Sequence, residues 1–171
     1  MKILFLSNIP APYRVTFFNL LTKNNEVTVL FDKNNNENRN DKWFKDNEYL
    51  FNYIWLEKFS LFQLIKIIKK GKYDIVINGN YASVSGALLA FITKLKKIPY
   101  VITADGGIID DSNIIARFLK KTFISLADYW LSTGKETNKY LTHYGAKEDR
   151  IFEFPFSSDS KENIVKNPIS K

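Results

Sequence analysis

The residue types best suited to chemistry gather in short stretches that follow apolar runs. The sharpest is Ala104-Asp105-Gly106-Gly107. It sets a carboxylate directly after an apolar run and follows it with two residues that lack side chains. Such a carboxylate can accept hydrogen bonds from ligand hydroxyls or take a proton from one. Its plainer role is a turn aspartate bonded to its own backbone. A second stretch, Ser7 to Arg14, reads SNIPAPYR. Arg14 can hold a phosphate or carboxylate through two parallel N–H donors, or simply pair with a surface carboxylate. Asn8 and Pro10 belong to the same loop. A third stretch, Gly79-Asn80-Tyr81-Ala82-Ser83, offers close backbone approach at Gly79 and an aromatic ring at Tyr81 that either stacks on a ligand or packs inward. A fourth, Ser132-Thr133-Gly134-Lys135-Glu136, offers hydroxyls and amides beside a helix start, where Ser132 or Thr133 can also serve as a cap.

Other chemistries are excluded by residues the chain lacks. There is no cysteine, so disulfides, thiolate catalysis and cysteine–zinc sites are ruled out. The single histidine, His143, rules out a multi-histidine metal site and reads as structural near a helix C-terminus. The first loop has no glycine and two prolines, against the G-x-G-x-x-G that lets backbone amides reach a dinucleotide pyrophosphate. No P-loop motif is present. No apolar run nears the roughly 18 residues of a membrane span. The N-terminus lacks the longer apolar stretch and cleavage site of a signal peptide, so a soluble cytoplasmic protein is expected. A net charge of +7 admits an anionic ligand, an acidic membrane face or nucleic acid.

These loops require strands to end where they begin. Lys2–Ser7, Glu26–Phe31, Asn47–Trp55, Tyr73–Asn78, Pro99–Ala104, Asp128–Ser132 and Arg150–Phe154 read as strands, rich in β-branched and aromatic residues. Helical patterns alternate with them. Pro12–Lys23 is expected to turn Tyr13, Phe17, Leu20 and Leu21 inward. Leu61–Lys70, capped by Ser60, buries Leu61, Leu64, Ile65 and Ile68. Ser83–Lys97 buries Val84, Leu88, Phe91 and Leu95. A further helix, capped by Asp111 or Ser112, runs to Ser125, and Lys135–Tyr144 is closed by Gly145. Asp32–Asn40 reads as a polar loop. Strands apolar on both faces, alternating with helices, predict an α/β Rossmann-like parallel sheet with helices on both faces. Ligands then sit beyond the carboxyl ends of the strands, where all four loops lie. Residues 1–156 form one expected domain, and the polar stretch 157–171 reads as a linker or chain end.

The stretches NIPAPYRVTFF, VITADGG, ADYWLSTGKETNKYLTHYGA and IFEFPFSS, in this order and spacing, resemble the N-terminal domain of glycosyltransferase family 4. The likeness is to enzymes of capsular and exopolysaccharide synthesis and spans Met1 to about Ser158. It implies a GT-B fold, in which two Rossmann-like domains face a cleft. The N-terminal half holds the acceptor and the C-terminal half the nucleotide-sugar. Transfer is then retaining, with no metal and no cofactor besides the nucleotide-sugar substrate. The implied partners are a saccharide or lipid-linked oligosaccharide acceptor, a C-terminal domain or separate donor subunit, and an anionic membrane face touched peripherally, with nucleic acid not among them. By this resemblance Asp105 orients the acceptor or acts as base. Asn8, Pro10 and Arg14 would line the cleft and Gly106 would sit beside the acceptor hydroxyl, while Tyr81, Gly107, Ser132 and Thr133 join the candidate binding residues by their place in the strand-end loops. The family's donor domain carries two glutamates separated by seven residues, a spacing that none of the eight glutamates here shows. The donor half is therefore expected outside this chain, which alone is expected to be inactive. Two alternatives stand beside this reading: a non-catalytic subunit completing a cleft with a separate donor-binding chain, and an unrelated Rossmann-like small-molecule-binding domain.

Overall fold

Lys2–Ser7 (β1) is buried on both faces from Ile3 onward, which demands a neighbouring strand on each side and cover above and below. The computed structural model describes residues 1–32, 48–56 and 61–154 and supplies all of these. Seven strands pair in parallel: β1, Glu26–Phe31 (β2), Asn52–Trp55 (β3), Ile75–Asn78 (β4), Tyr100–Ala104 (β5), Tyr129–Ser132 (β6) and Ile151–Glu153 (β7). Their order is β3-β2-β1-β4-β5-β6-β7. The chain builds outward from β1 to β3, then crosses back over β1 to start β4. This places a topological switch point between β1 and β4, where a crevice opens at the carboxyl ends. The expected Rossmann-like sheet is present.

Side-chain alternation divides the core. Leu4, Leu6, Leu30, Tyr100 and Ile102 point to one face, which is covered by Leu61–Gly71 (α2), Val84–Lys96 (α3), Ile114–Ser125 (α4) and Lys135–His143 (α5). Phe5, Val27, Val29 and Phe31 point to the other, where Pro12–Leu21 (α1) packs. Phe18 centres that second core, with ring centroids 4.8 Å from Phe5 and 5.4 Å from Phe51.

Several facing assignments need correction. In α1 the buried residues are Val15 and Phe18, while Leu20 is exposed and Tyr13, Phe17 and Leu21 are half-buried. In α3 the buried face is Gly86, Leu89, Ala90, Ile92 and Thr93. Val84, Phe91 and Leu95 face solvent and Leu88 is half-buried. Gly86 sets this rotation, because a Cβ there would stand 2.2 Å from the Asn80 carbonyl oxygen, so this helix face lies directly on the β4–α3 loop. Thr93 can be buried because its hydroxyl donates back to Leu89 and Ala90 carbonyls. In α2, Leu64 and Ile68 are buried as expected and Ile65 is half-buried. The cap of α4 is Asn113, whose side chain accepts from the Ala116 amide at 3.0 Å, rather than Asp111 or Ser112. The aromatic strand is shorter than expected, with Glu48–Leu50 outside it and strapped to α1 by the Asn19 side chain. Ser60, the asparagine-rich stretch 33–40 and the tail 157–171 lie outside the described residues.

Candidate functional site

The site forms because β1 and β5 flank β4 in the sheet. Arg14 stands in the first turn of α1, which Pro12 opens with a backbone angle already suited to a helix. Asp105 is the first residue past β5. The two side chains meet across the end of β4 in an ion pair from Arg14 Nη2 to Asp105 Oδ2. The arginine side chain is mostly buried and the aspartate is 38% exposed. One carboxylate oxygen is thus engaged by a guanidinium while the group remains open to solvent. Phe5, Tyr13, Phe17, Thr103 and Phe154 line a small cleft around the pair. Phe17 and Phe154 stack edge to face at 5.2 Å and form its apolar wall.

A tyrosine cluster, packed with the other core, lies near enough for Tyr81 to feel the Asp105 charge. The hydroxyls of Tyr81 and Tyr140 lie 3.3 Å apart, and the Tyr140 and Tyr144 rings meet edge to face at 5.0 Å. Burial pushes the Tyr81 phenol well above its ordinary range, helped by the Tyr140 bond and, further down, by the Asp105 charge. Tyr81 is therefore a neutral phenol at any physiological pH. Gly107 packs flat on Tyr140: a Cβ there would lie 2.5 Å from the ring. Gly106 has φ of 124°, a backbone conformation that glycine adopts freely. The two glycines therefore do different work. Gly106 turns the chain after Asp105, and Gly107 lets it lie against the tyrosine.

The expected site residues do not all converge. Arg14, Asp105, Gly106, Gly107 and Tyr81 share this region. Asn8 is exposed and Pro10 is buried in the first loop. Ser132 is fully buried at the end of β6 with its hydroxyl turned to Asn138. Thr133 pairs its hydroxyl with Thr137 at 3.0 Å, inside the turn that starts α5. Gly134, not Ser132 or Thr133, occupies the cap position there. His143 ends α5 and bonds Asp111 at 2.9 Å, a structural tie. Sequence reasoning missed Phe5, Tyr13, Phe17, Thr103 and Phe154 as site residues. Phe5 and Thr103 carried a usable signal, since each alternates with core residues pointing the other way on its strand. Among the described residues no three His, Cys, Asp or Glu side chains come together as a metal cluster.

A second group stands on the same sheet edge. Asp32, the first residue past β2, accepts from Asn80 Nδ2 with one oxygen and from Ser85 Oγ with the other. Ser83 caps α3 through the Gly86 amide at 3.0 Å and lies 2.9 Å from Ser85. This network ties the β4–α3 loop, with Tyr81 on it, to the end of β2.

The comparisons with known proteins agree with the fold. Residues 19–155 match the model of Glycosyltransferase Family 4. A Prochlorococcus marinus UDP-N-acetylglucosamine–N-acetylmuramyl-(pentapeptide) pyrophosphoryl-undecaprenol N-acetylglucosamine transferase is 32% identical over 117 residues, 68% of this chain. The chain spans about 30% of that relative's length. The Anabaena protein HepE, solved with UDP-glucose, superposes with a TM-score of 0.65 at 12% identity, over 93% of this chain and 44% of its own. UDP-GlcNAc 2-epimerase from Methanocaldococcus jannaschii superposes with a TM-score of 0.60 at 17% identity, over 90% of this chain and 45% of its own. At these identities the structural neighbours speak for the fold. The family match extends over most of the chain, from α1 past β7, and on that ground this protein belongs to glycosyltransferase family 4.

Proposed function

We propose that this chain is the acceptor-binding half of a retaining glycosyltransferase that moves a sugar from a nucleotide-sugar to a polysaccharide or lipid-linked acceptor. The Arg14–Asp105 pair at the switch-point edge of the sheet carries the reading. A carboxylate fixed by an arginine, partly open and walled by aromatic rings, suits a sugar hydroxyl. The carboxylate accepts its hydrogen bond and the rings cover its apolar face. Asp105 then orients the attacking hydroxyl, and orientation alone contributes a large part of such a rate enhancement. The same carboxylate is placed to take the hydroxyl proton, with the departing phosphate of the donor as the alternative acceptor.

The curated relative's name includes a pyrophosphoryl-undecaprenol, which supports a lipid-linked acceptor in kind. HepE was solved with UDP-glucose and the epimerase is named for UDP-GlcNAc, which supports a uridine diphosphate sugar as donor. The donor is held mainly by a further domain or a separate subunit. Work on a capsular or exopolysaccharide chain at the cytoplasmic face of a membrane completes the proposal. No helix among the described residues is long and apolar enough to cross a membrane.

Titration of the chain with UDP-sugars and with a lipid-linked saccharide tests the division of labour. Acceptor binding with weak or absent UDP-sugar binding is expected. Tight UDP-sugar binding with no response to acceptor overturns the assignment of this half.

A further inference from the structure

The buried serines and threonines sort by what their hydroxyls meet. Thr93 donates to the Leu89 and Ala90 carbonyls, Thr137 pairs with Thr133, Ser132 with Asn138, and Ser7 donates to the Ile9 carbonyl. The hydroxyls of Thr28 and Thr103 bond no protein group among the described residues. A buried hydroxyl without a partner is costly. No described side-chain nitrogen or oxygen is both shut off from solvent and unpartnered, so each of these two hydroxyls keeps an opening. Thr103 is only 5% exposed, and it lines the cleft that holds Arg14 and Asp105. Its opening is therefore the cleft.

Strand geometry and packing fix where this hydroxyl points. Ala104, between Thr103 and Asp105, turns into the core on the other face of the sheet. Thr103 and Asp105 therefore share one side of the chain, about 7 Å apart at two residues' rise. A threonine carries its methyl and hydroxyl on one stiff carbon. The Thr103 methyl lies at the end of β4, where a Cβ on Gly79 would stand 3.3 Å from it. With the methyl seated over Gly79, the hydroxyl has a set direction as well. The cleft then presents two unlike groups. The Asp105 carboxylate only accepts hydrogen bonds, whereas the Thr103 hydroxyl both donates and accepts. Phe5, Phe17 and Phe154 supply apolar surface around them.

We propose that Thr103 is a ligand-binding and specificity-determining contact of this cleft. Its hydroxyl holds a second polar group of the ligand whose first hydroxyl meets Asp105. The occupant is a ring with polar groups on its rim and C–H bonds on its faces, as in a pyranose; this ligand class rests on the function proposed above. A lone hydroxyl engages Asp105 alone, while a pair spaced along the rim engages both residues. A site built to hydrogen-bond a ligand group discriminates against ligands that lack it. Thr103 thus selects the saccharide unit, and Asp105 sets where its reacting hydroxyl lies.

Affinity for a lipid-linked saccharide in detergent, measured for the parent, Thr103→Val, Thr103→Ser and Thr28→Val, tests this. Thr103→Val keeps the shape and should bind about fivefold more weakly, the loss of one hydrogen bond. Thr103→Ser keeps the hydroxyl and should stay within about twofold of the parent. Thr28 lies on the opposite face of the sheet, and Thr28→Val should bind as the parent does. Without ligand, Thr103→Val should melt at or above the parent, because no partner inside the fold is lost. Unchanged binding in Thr103→Val overturns the proposal. So does a melting temperature about 3 °C or more below the parent, which would make the hydroxyl a structural group. The same chains are titrated with UDP-glucose. A parent that binds UDP-glucose alone, with Thr103→Val about fivefold weaker, keeps the contact and overturns the acceptor reading. Weak acceptor binding in Asp105→Asn beside full binding in Thr103→Val does the reverse. A parent that binds neither ligand overturns both.

Discussion

Asp32 and Asp105 hold equivalent places, each the first residue beyond a parallel strand on the same edge of one sheet. Their surroundings separate them. Asp32 is half-buried and gives both oxygens to neutral donors, Asn80 on the β4–α3 loop and Ser85 in the first turn of α3, so that it holds the loop in place. Asp105 gives one oxygen to the charged Arg14, is followed by two glycines and remains open to a cleft. A carboxylate with both oxygens engaged inside the fold contributes to stability. One held from a single side and left open can serve a ligand. Position past a strand is thus necessary for a site here, and the partners decide between the two roles.

The contrast yields predictions in decreasing order of effect on stability. Gly86→Ala should be the most damaging, because its Cβ would sit 2.2 Å from a backbone oxygen in the loop that Asp32 holds. A loss of about 3 kcal/mol is expected, measured by urea denaturation. Asp32→Ala should cost about 2 kcal/mol, since Asn80 and Ser85 lose their acceptor. Asp105→Ala should cost less than about 1 kcal/mol, as its ion pair is partly solvent-screened. Equal losses for Asp32→Ala and Asp105→Ala would erase the distinction.

High pH gives a further way to sharpen it. Burial raises the phenols of Tyr81 and Tyr100 above their usual range; at Tyr100 a hydrogen bond from Asn78 at 2.8 Å opposes this in part. Their contribution to stability is complete below the unfolded phenol pKa of about 10 and declines as pH rises beyond it, because only the unfolded chain ionises freely. Tyr81→Phe should reduce this alkaline loss in urea melts near pH 11. An unchanged pH dependence would remove Tyr81 from the buried set beside Asp105.

Much of the fold was legible in the sequence because strands buried on both faces cannot hide their composition. KILFLS, EVTVLF and YVITA announce interior parallel strands, and each lies within a residue of where it was expected. Helix facing was less legible. In α3, VSGALLAFITKLK is apolar around much of its circumference, so periodicity alone could not tell Leu89 and Ile92 from Phe91 and Leu95. The deciding contact, Gly86 against the Asn80 carbonyl, is a tertiary one. The site was half legible. Arg14 and Asp105 each stood out by place and type, but their pairing spans 91 positions and follows from strand order, which no local pattern encodes. For the same reason Asp32 read as the start of a loop.

Acceptor affinity in the parent chain, Asp32→Asn and Asp105→Asn, measured in detergent with a lipid-linked saccharide, tests the central claim most directly. Asp105→Asn should weaken binding by about tenfold or more, as a charged hydrogen-bond acceptor is lost, with a melting temperature within about 3 °C of the parent. Asp32→Asn should do the reverse, melting lower while binding persists in the folded fraction. Full acceptor affinity in Asp105→Asn would contradict the account.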